Sequence, residues 1–282
     1  VQVNIFVNSI FASHEPGAVS WLSYAFRVLY LPIGLFGVAA GTVTATGLAK
    51  RAAENDMEGL RRTLRGSLRM LAFLTIPATA GLLALGVPIV RLLFERGRFT
   101  SHDTERTAAA LALYGAGLVA YAAVKLLAPA FYALGLPRVP LWASVAAVAT
   151  NLAMNVALYG RLGYRSVALG TSVAAVVNAA VLAVSFERRV GGLRRESTGG
   201  ATALMAAAAL VMAPVAWLAA RALEAALGTQ GVLAQAVVAL VPVGLGVAVY
   251  FGATAALGLA EARRLVSAIT RYVVGLRDRV LA

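Results

Sequence analysis

Residues Val19–Leu48 read VSWLSYAFRVLYLPIGLFGVAAGTVTATGL, a thirty-residue run with one charged side chain, Arg27. A helix needs about 20 mostly apolar residues to cross about 30 Å of hydrocarbon, so this run is long enough to span a membrane. Working outward, similar runs occupy Val1–Ser13, Leu68–Phe94, Ala108–Leu134, Leu141–Gly160, Val167–Phe186, Ala201–Leu223 and Val232–Leu259. The connections between them are short and carry most of the charge. Across 282 residues, 60% are hydrophobic and 13% charged, and the mean hydropathy is +0.81. Soluble domains run at about 45–50% apolar and about 25% charged, so a soluble domain is excluded. Disorder is excluded on the same grounds, because disordered chains are polar and charge-rich. No segment shows the ten-residue alternation of a membrane barrel. The expectation is an all-α polytopic membrane protein with eight transmembrane helices.

The first run is short. Thirteen helical residues reach only about 20 Å. A signal-peptide core would be this short, but Asn4 and Asn8 and the lack of a basic leader argue against one. The expectation is a helix cut by the start of the chain, and so the C-terminal part of a longer protein. At the other end, Glu261–Ala282 mixes Arg263, Arg264, Arg271 and Arg277 with apolar residues and reads as an amphipathic helix on the membrane surface.

The formal net charge of +13 would suggest nucleic acid in a soluble protein. Here it sorts by side. The connections Lys50–Arg69, Arg138, Arg188–Arg195 and the tail hold 16 Lys+Arg, and those on the other side hold 7. The richer side is expected to be cytoplasmic, with the C-terminus on it. Most of the charge is therefore orientation and attraction to lipid headgroups, and no nucleic-acid partner is expected.

Two cations remain inside spans. Arg27 lies about 12 Å into its helix at 1.5 Å per residue. Ser20, Ser23, Tyr24, Arg27 and Tyr30 fall within about 120° of its circumference at 100° per residue. Lys125 is deep in the fourth span, and Tyr114, Tyr121, Lys125 and Tyr132 fall within about 40° of one another. Snorkelling to the interface is one reading of Arg27. A cation facing a water-filled cavity is the other, since a central charge costs at least about 2.5–3.5 kcal/mol on insertion scales. All twelve acids sit in loops, at span ends or in the tail. Two cations without a local counter-ion point to an anionic ligand, or to a carboxylate outside this segment.

Other polar residues are amides and hydroxyls. Asn4 and Asn8 are spaced i,i+4, as are Asn151 and Asn155, and Thr171 and Asn178 lie on the sixth span. Interhelical hydrogen bonding accounts for them. A hard-cation site of amide and hydroxyl oxygens is the sharper alternative. Gly37-x-x-x-Gly41 is a helix-packing signal. There is no cysteine, only two histidines, and no GxSxG, P-loop or HExxH motif, so the chain is not expected to be an enzyme.

Five segments taken together carry a resemblance: VNSIFAS (Val7–Ser13), YAFRVLYLPIGLFGVAAGT (Tyr24–Thr42), LLFERGRFT (Leu92–Thr100), VKLLAPAFYALGLPRVP (Val124–Pro140) and NLAMNVAL (Asn151–Leu158). In this order and spacing they resemble the MurJ (MviN) family of lipid II flippases, within the multidrug/oligosaccharidyl-lipid/polysaccharide exporter superfamily. The resemblance implies the second half of a fourteen-helix transporter of the bacterial inner membrane that flips the lipid-linked peptidoglycan precursor by alternating access. It implies that residues 1–190 form the second six-helix lobe, 191–260 two extra helices grooved for the lipid tail, and 261–282 a cytoplasmic tail. It also implies a cationic cavity for the substrate diphosphate, with Arg27, Lys125, Tyr24, Ser23 and Tyr121 as substrate-binding residues and an absent N-terminal lobe as partner. Some relatives bind sodium through acids and amides, and the corresponding residues here are Asn8, Asn151, Asn155 and Thr171. No other cofactor is implied. The chain departs from the family pattern at Phe26 and Tyr30, where acids occur, and at Thr46-Gly47, which replaces a frequent proline. The alternatives are a polysaccharide-lipid exporter or drug antiporter of the same superfamily, and a polyprenyl-phosphate membrane transferase. The transferase would need a carboxylate cluster, and the chain offers none.

Overall fold

The computed structural model describes residues 2–193 and 196–263. They form helices and short turns: α1 Gln2–Ala12, α2 Ala18–Pro32, a π-helical segment Ile33–Val38, α3 Ala39–Ala53, α4 Met57–Phe94, α5 Ser101–Gly115, α6 Leu118–Ala133, α7 Arg138–Leu162, α8 Arg165–Arg189, α9 Glu196–Leu227 and α10 Val232–Ala256. This is what a lipid environment imposes, because a helix satisfies its backbone N–H and C=O groups within one segment. Among the described residues, six helices are long and apolar enough to cross a membrane, or seven if the bent pair α5–α6 is one span. The short α1, with 11 residues, is not long enough to be one of them. The expected surface helix of the tail lies outside the described residues beyond Arg263.

Two expectations are corrected. Lys50–Arg69 is not a loop: α3 runs to Ala53, and α4 begins at Met57. Asp56 caps α4 by accepting the Gly59 N–H at 2.8 Å. That amide, and then the Arg51 guanidinium, hold the Asp56 carboxyl below the usual carboxylate range. The 38 residues of α4 extend about 57 Å at 1.5 Å per residue, nearly twice the hydrocarbon thickness. Its first turns, with Arg61, Arg62, Arg65 and Arg69, therefore project beyond the bilayer. Fused with the segment before it, the fourth span is not one straight helix either. It breaks at Ala116-Gly117, and α5 and α6 meet at 45°.

In lipid the hydrophobic effect between helices is absent, so packing and hydrogen bonds hold the bundle. One cluster packs Trp21, Ala25 and Leu29 of α2 on Leu111, Leu118 and Val167. A second joins Leu60 and Leu64 of α4 with Leu126, Phe131, Leu182 and Phe186. The third sets Met205, Ala209 and Met212 of α9 and Tyr250 of α10 on Phe73 of α4. The Gly37/Gly41 pair packs against α6: a Cβ at Gly37 would meet the Ala122 backbone at 3.6 Å, and one at Gly41 would lie 3.2 Å from the Lys125 carbonyl oxygen.

That carbonyl is the one Pro129 leaves without its i+4 donor, since proline has no N–H. Pro77 does the same to Phe73, and there the Tyr250 hydroxyl donates to the Phe73 carbonyl at 2.9 Å. Tyr250→Phe should lower stability by about 1 kcal/mol, and Gly41→Val by about 1–3 kcal/mol. Thermal unfolding of the full-length protein in detergent measures both; a Tyr250→Phe protein as stable as wild type would show that the hydroxyl does not support the kink.

Candidate functional site

The exposed side of α2 is mixed, with Val19, Phe26 and Leu31 beside a polar stripe. Trp21, Leu22, Ala25, Val28 and Leu29 are buried, whereas Ser20, Ser23, Arg27 and Tyr30 are exposed. Lipid selects an apolar exposed face, as α7 displays with Leu141, Trp142, Val145, Leu152 and Val156. The exposed face of α2 carries hydroxyls and a charge, so it suits water or a polar partner. Arg27 is steadied from behind: its guanidinium carbon lies 5.4 Å from the Tyr24 ring centroid. Tyr24 is wedged between Phe94 and Phe99, with ring centroids at 4.7 and 5.4 Å. The Ser23 hydroxyl donates to the Val19 carbonyl at 2.6 Å. Its remaining acceptor capacity faces outward.

Lys125 is exposed on α6, which packs against the π segment and α3. Tyr132 is exposed on the same helix, whereas Tyr121 packs against the core cluster of α2 and α5 with its hydroxyl oxygen buried. Tyr114 does not join this face. The α5–α6 break takes it out of register, and it is buried with its ring against Phe26 at 5.5 Å. Gly115 and Gly117 were the available signal for that break. Among the described residues, neither Arg27 nor Lys125 is ion-paired.

Asn8, Asn151, Asn155 and Thr171 are brought together from α1, α7 and α8. Asn8 and Asn151 each donate to the Thr171 hydroxyl at 3.2 Å. Asn155 donates to Asn8 Oδ1 at 3.1 Å and to Asn151 Oδ1 at 3.3 Å. Thr171 in turn donates to the Val167 carbonyl at 2.7 Å. Only Asn155 Oδ1 is left without a partner. The amide NH2 groups point into the cluster, all its oxygens are neutral, and no carboxylate takes part. In this arrangement the set does not fit a resident hard cation, which needs several converging oxygens. It fits an interhelical clasp, closed by Gly170, where a Cβ would meet Asn155 Oδ1 at 3.2 Å. The side chain of Asn4 is outside the described residues.

Ion pairs that no residue pattern announces tie α4 to its neighbours. Arg91, only 16% exposed, meets Glu224 at the end of α9 at 2.7 Å and Glu95 at 3.5 Å. Arg69 forks onto the buried Glu261, with Nη2 3.2 Å from Oε2. Partners separated by 133 and 192 residues have no local signature.

These features define a class, a multi-pass membrane protein of packed helices that exposes an unpaired arginine in a polar stripe on α2 and an unpaired lysine on α6. The model of the family "Lipid II flippase MurJ" matches residues 1–242. The chain is 35% identical over 164 residues to a probable lipid II flippase MurJ of Vibrio cholerae, covering 58% of this chain and 31% of that protein. It is 38% identical over 161 residues to one of Rhizobium meliloti, covering 57% and 30%. It is similar to a solved structure of lipid II flippase MurJ in an inward closed conformation, with TM-score 0.76 and 27% identity over 94% of this chain and 52% of that one. The chain belongs to the lipid II flippase MurJ family and is a multi-pass protein of the bacterial inner membrane. It spans about half the length of that solved relative and matches about a third of each of the two sequence relatives.

Asn155→Ala removes the donor to both Asn8 and Asn151 and strands two amide oxygens. It should cost about 1–2 kcal/mol, read as a lower unfolding temperature. No change would mean that the clasp does not hold α1 to α7.

Proposed function

We propose that the chain forms the second lobe and two additional helices of a lipid II flippase, which carries the lipid-linked peptidoglycan precursor between leaflets by alternating access. The exposed polar face of α2, with unpaired Arg27 at its centre, carries this reading. Arg27 and Lys125 attract the substrate diphosphate to a cavity shared with a first lobe, and Ser23 and Tyr24 complete the polar wall; Tyr121, its hydroxyl buried in the lobe, supports that wall from behind. A guanidinium forks onto phosphate oxygens, while an ammonium acts as a point charge. Such a cavity suits a lipid-linked anion and disfavours a cationic drug.

Residues 1–190 are the lobe and 191–260 the additional helices. Between α4, α9, α10 and the π segment lies an apolar cavity of about 300 Å³. Its walls offer contacts to a hydrocarbon chain, and we assign it to the isoprenoid tail. Pro32, Pro77 and Pro129 are the bending points for rocking of one lobe against the other. By the distribution of cations, the C-terminus is cytoplasmic. The neutral Asn8/Asn151/Asn155/Thr171 clasp is assigned no coupling ion. Replacing sodium with choline should leave the unfolding temperature of the full-length protein unchanged, and a sodium-dependent rise would overturn that assignment.

Arg27→Ala in the full-length protein should fail to replace the essential flippase at normal expression. Lipid II binding should weaken about 10–100-fold, corresponding to the loss of a charge-assisted contact worth about 1.5–3 kcal/mol. Arg27→Lys should retain part of the activity if a point charge suffices. Normal cell-wall growth on Arg27→Ala would sink the role given to this residue.

A further inference from the structure

Three walls of the apolar cavity belong to one block. Phe73 and Pro77 come from α4, Met212 from α9 and Tyr250 from α10. The block is fastened by Arg91–Glu224 at one end, by Arg69–Glu261 at the other, and by the Tyr250 hydroxyl on the Phe73 carbonyl between them. The fourth wall is different. It is made by Pro32, the last residue of α2, and Phe36, inside the π segment Ile33–Val38.

That segment touches three things at once. Phe36 faces the cavity. Gly37 packs on Ala122, and Gly41 just beyond sits on the Lys125 carbonyl. Arg27 lies on the same continuous helix, five residues before Pro32 and about 7–8 Å away along the axis. A π turn holds one residue more than an α turn, and such segments cost stability unless something retains them. Here Pro32 has no N–H to give to Val28, which loosens the preceding turn. Resolving the π turns into α-helix removes one residue from the winding. It would rotate α2 by about 100° relative to α3 and carry Arg27 off the exposed face, or slide Gly37 and Gly41 out of their seats on α6.

We propose that Phe36 is a positioning residue for Arg27: a hydrocarbon chain lodged in the apolar cavity packs on Phe36 and Pro32, retains the π turns, and so holds the Arg27 face turned outward. The proposal rests on the assignment of the cavity to an isoprenoid tail and adds an order to the cycle. The tail seats first, and the cation that meets the diphosphate is presented as a consequence. Phe36 itself touches no phosphate.

The test uses a cysteine-free version of the full-length protein in proteoliposomes, carrying Ser20→Cys on the exposed face of α2. The thiol at position 20 is titrated with a membrane-impermeant methanethiosulfonate reagent. The two probes are a long-chain polyprenol without phosphate and inorganic diphosphate. Polyprenol should change the labelling rate by about threefold or more, the shift of a two-state population by a ligand that prefers one state. Phe36→Ala should abolish that change, and Phe36→Tyr, which keeps the ring, should restore it. Equal labelling with and without polyprenol, or an undiminished polyprenol effect in Phe36→Ala, would overturn the coupling. Inorganic diphosphate separates the two readings. If it slows labelling in an Arg27-dependent manner while polyprenol does nothing, the coupling fails and the headgroup site stands. If neither probe acts, both fail.

Discussion

Within a bilayer a backbone carbonyl without a donor has no water to turn to. This chain places Pro32, Pro77, Pro88, Pro129, Pro214 and Pro242 inside helices, and each removes one donor. Much of the tertiary structure answers that constraint. The carbonyl left by Pro77 is taken by the Tyr250 hydroxyl, which draws α10 onto α4. The one left by Pro129 lies against Gly41, close enough for only a hydrogen on the facing carbon, and a Cα–H···O contact offers weak compensation. After Pro32 the helix rewinds as π turns. Kinks that would otherwise be defects thus become the points where neighbouring helices are joined, and the joints double as places where the backbone can change winding.

Charge follows the same economy. Three carboxylates at the ends of the long helices are committed to particular neighbours: Glu224 to Arg91 and Arg221, Glu95 to Arg91 and Thr104, Glu261 to Arg69. Within the spans, and among the described residues, Arg27 and Lys125 have no ion-pair partner. A half-buried pair whose partner is removed is costly, so the committed acids hold the scaffold and are poor candidates for exchange with a ligand. The uncommitted cations, turned outward from the lobe, are the groups with free interaction to give.

What could be read beforehand follows from locality. The polar stripe around Arg27 was legible because 100° per residue places Ser20, Ser23 and Tyr30 on one side of a regular helix, and that part of α2 is regular. The same arithmetic misplaced Tyr114, because Gly115-Ala116-Gly117 interrupts the winding between it and Lys125. The first third of α4 reads as a loop from the sequence because the local hydropathy is dominated by its arginines. Leu60 and Leu64, which make that stretch a packed helix, are spaced for burial against neighbours such as Phe186 that lie far along the chain. The Asn8, Asn151, Asn155 and Thr171 group was identified as polar residues on nearby helices. Its closure as a neutral hydrogen-bonded ring depends on amide orientations that no spacing encodes.

The length of α4 has a mechanical meaning. From Pro77 to its first residue, Met57, the helix is a rigid arm of about 30 Å at 1.5 Å per residue. A change of about 10° at the proline moves the far end by about 5 Å, while the residues around Phe73 shift by less than about 1–2 Å. About 18 Å out along that arm, Arg65 donates to the Gly192 carbonyl at 3.0 Å, in the connection from α8 to α9. A slight flexure at Pro77 would therefore be geared up into a larger stroke toward the start of α4, and part of that stroke would reach the connection between α8 and α9.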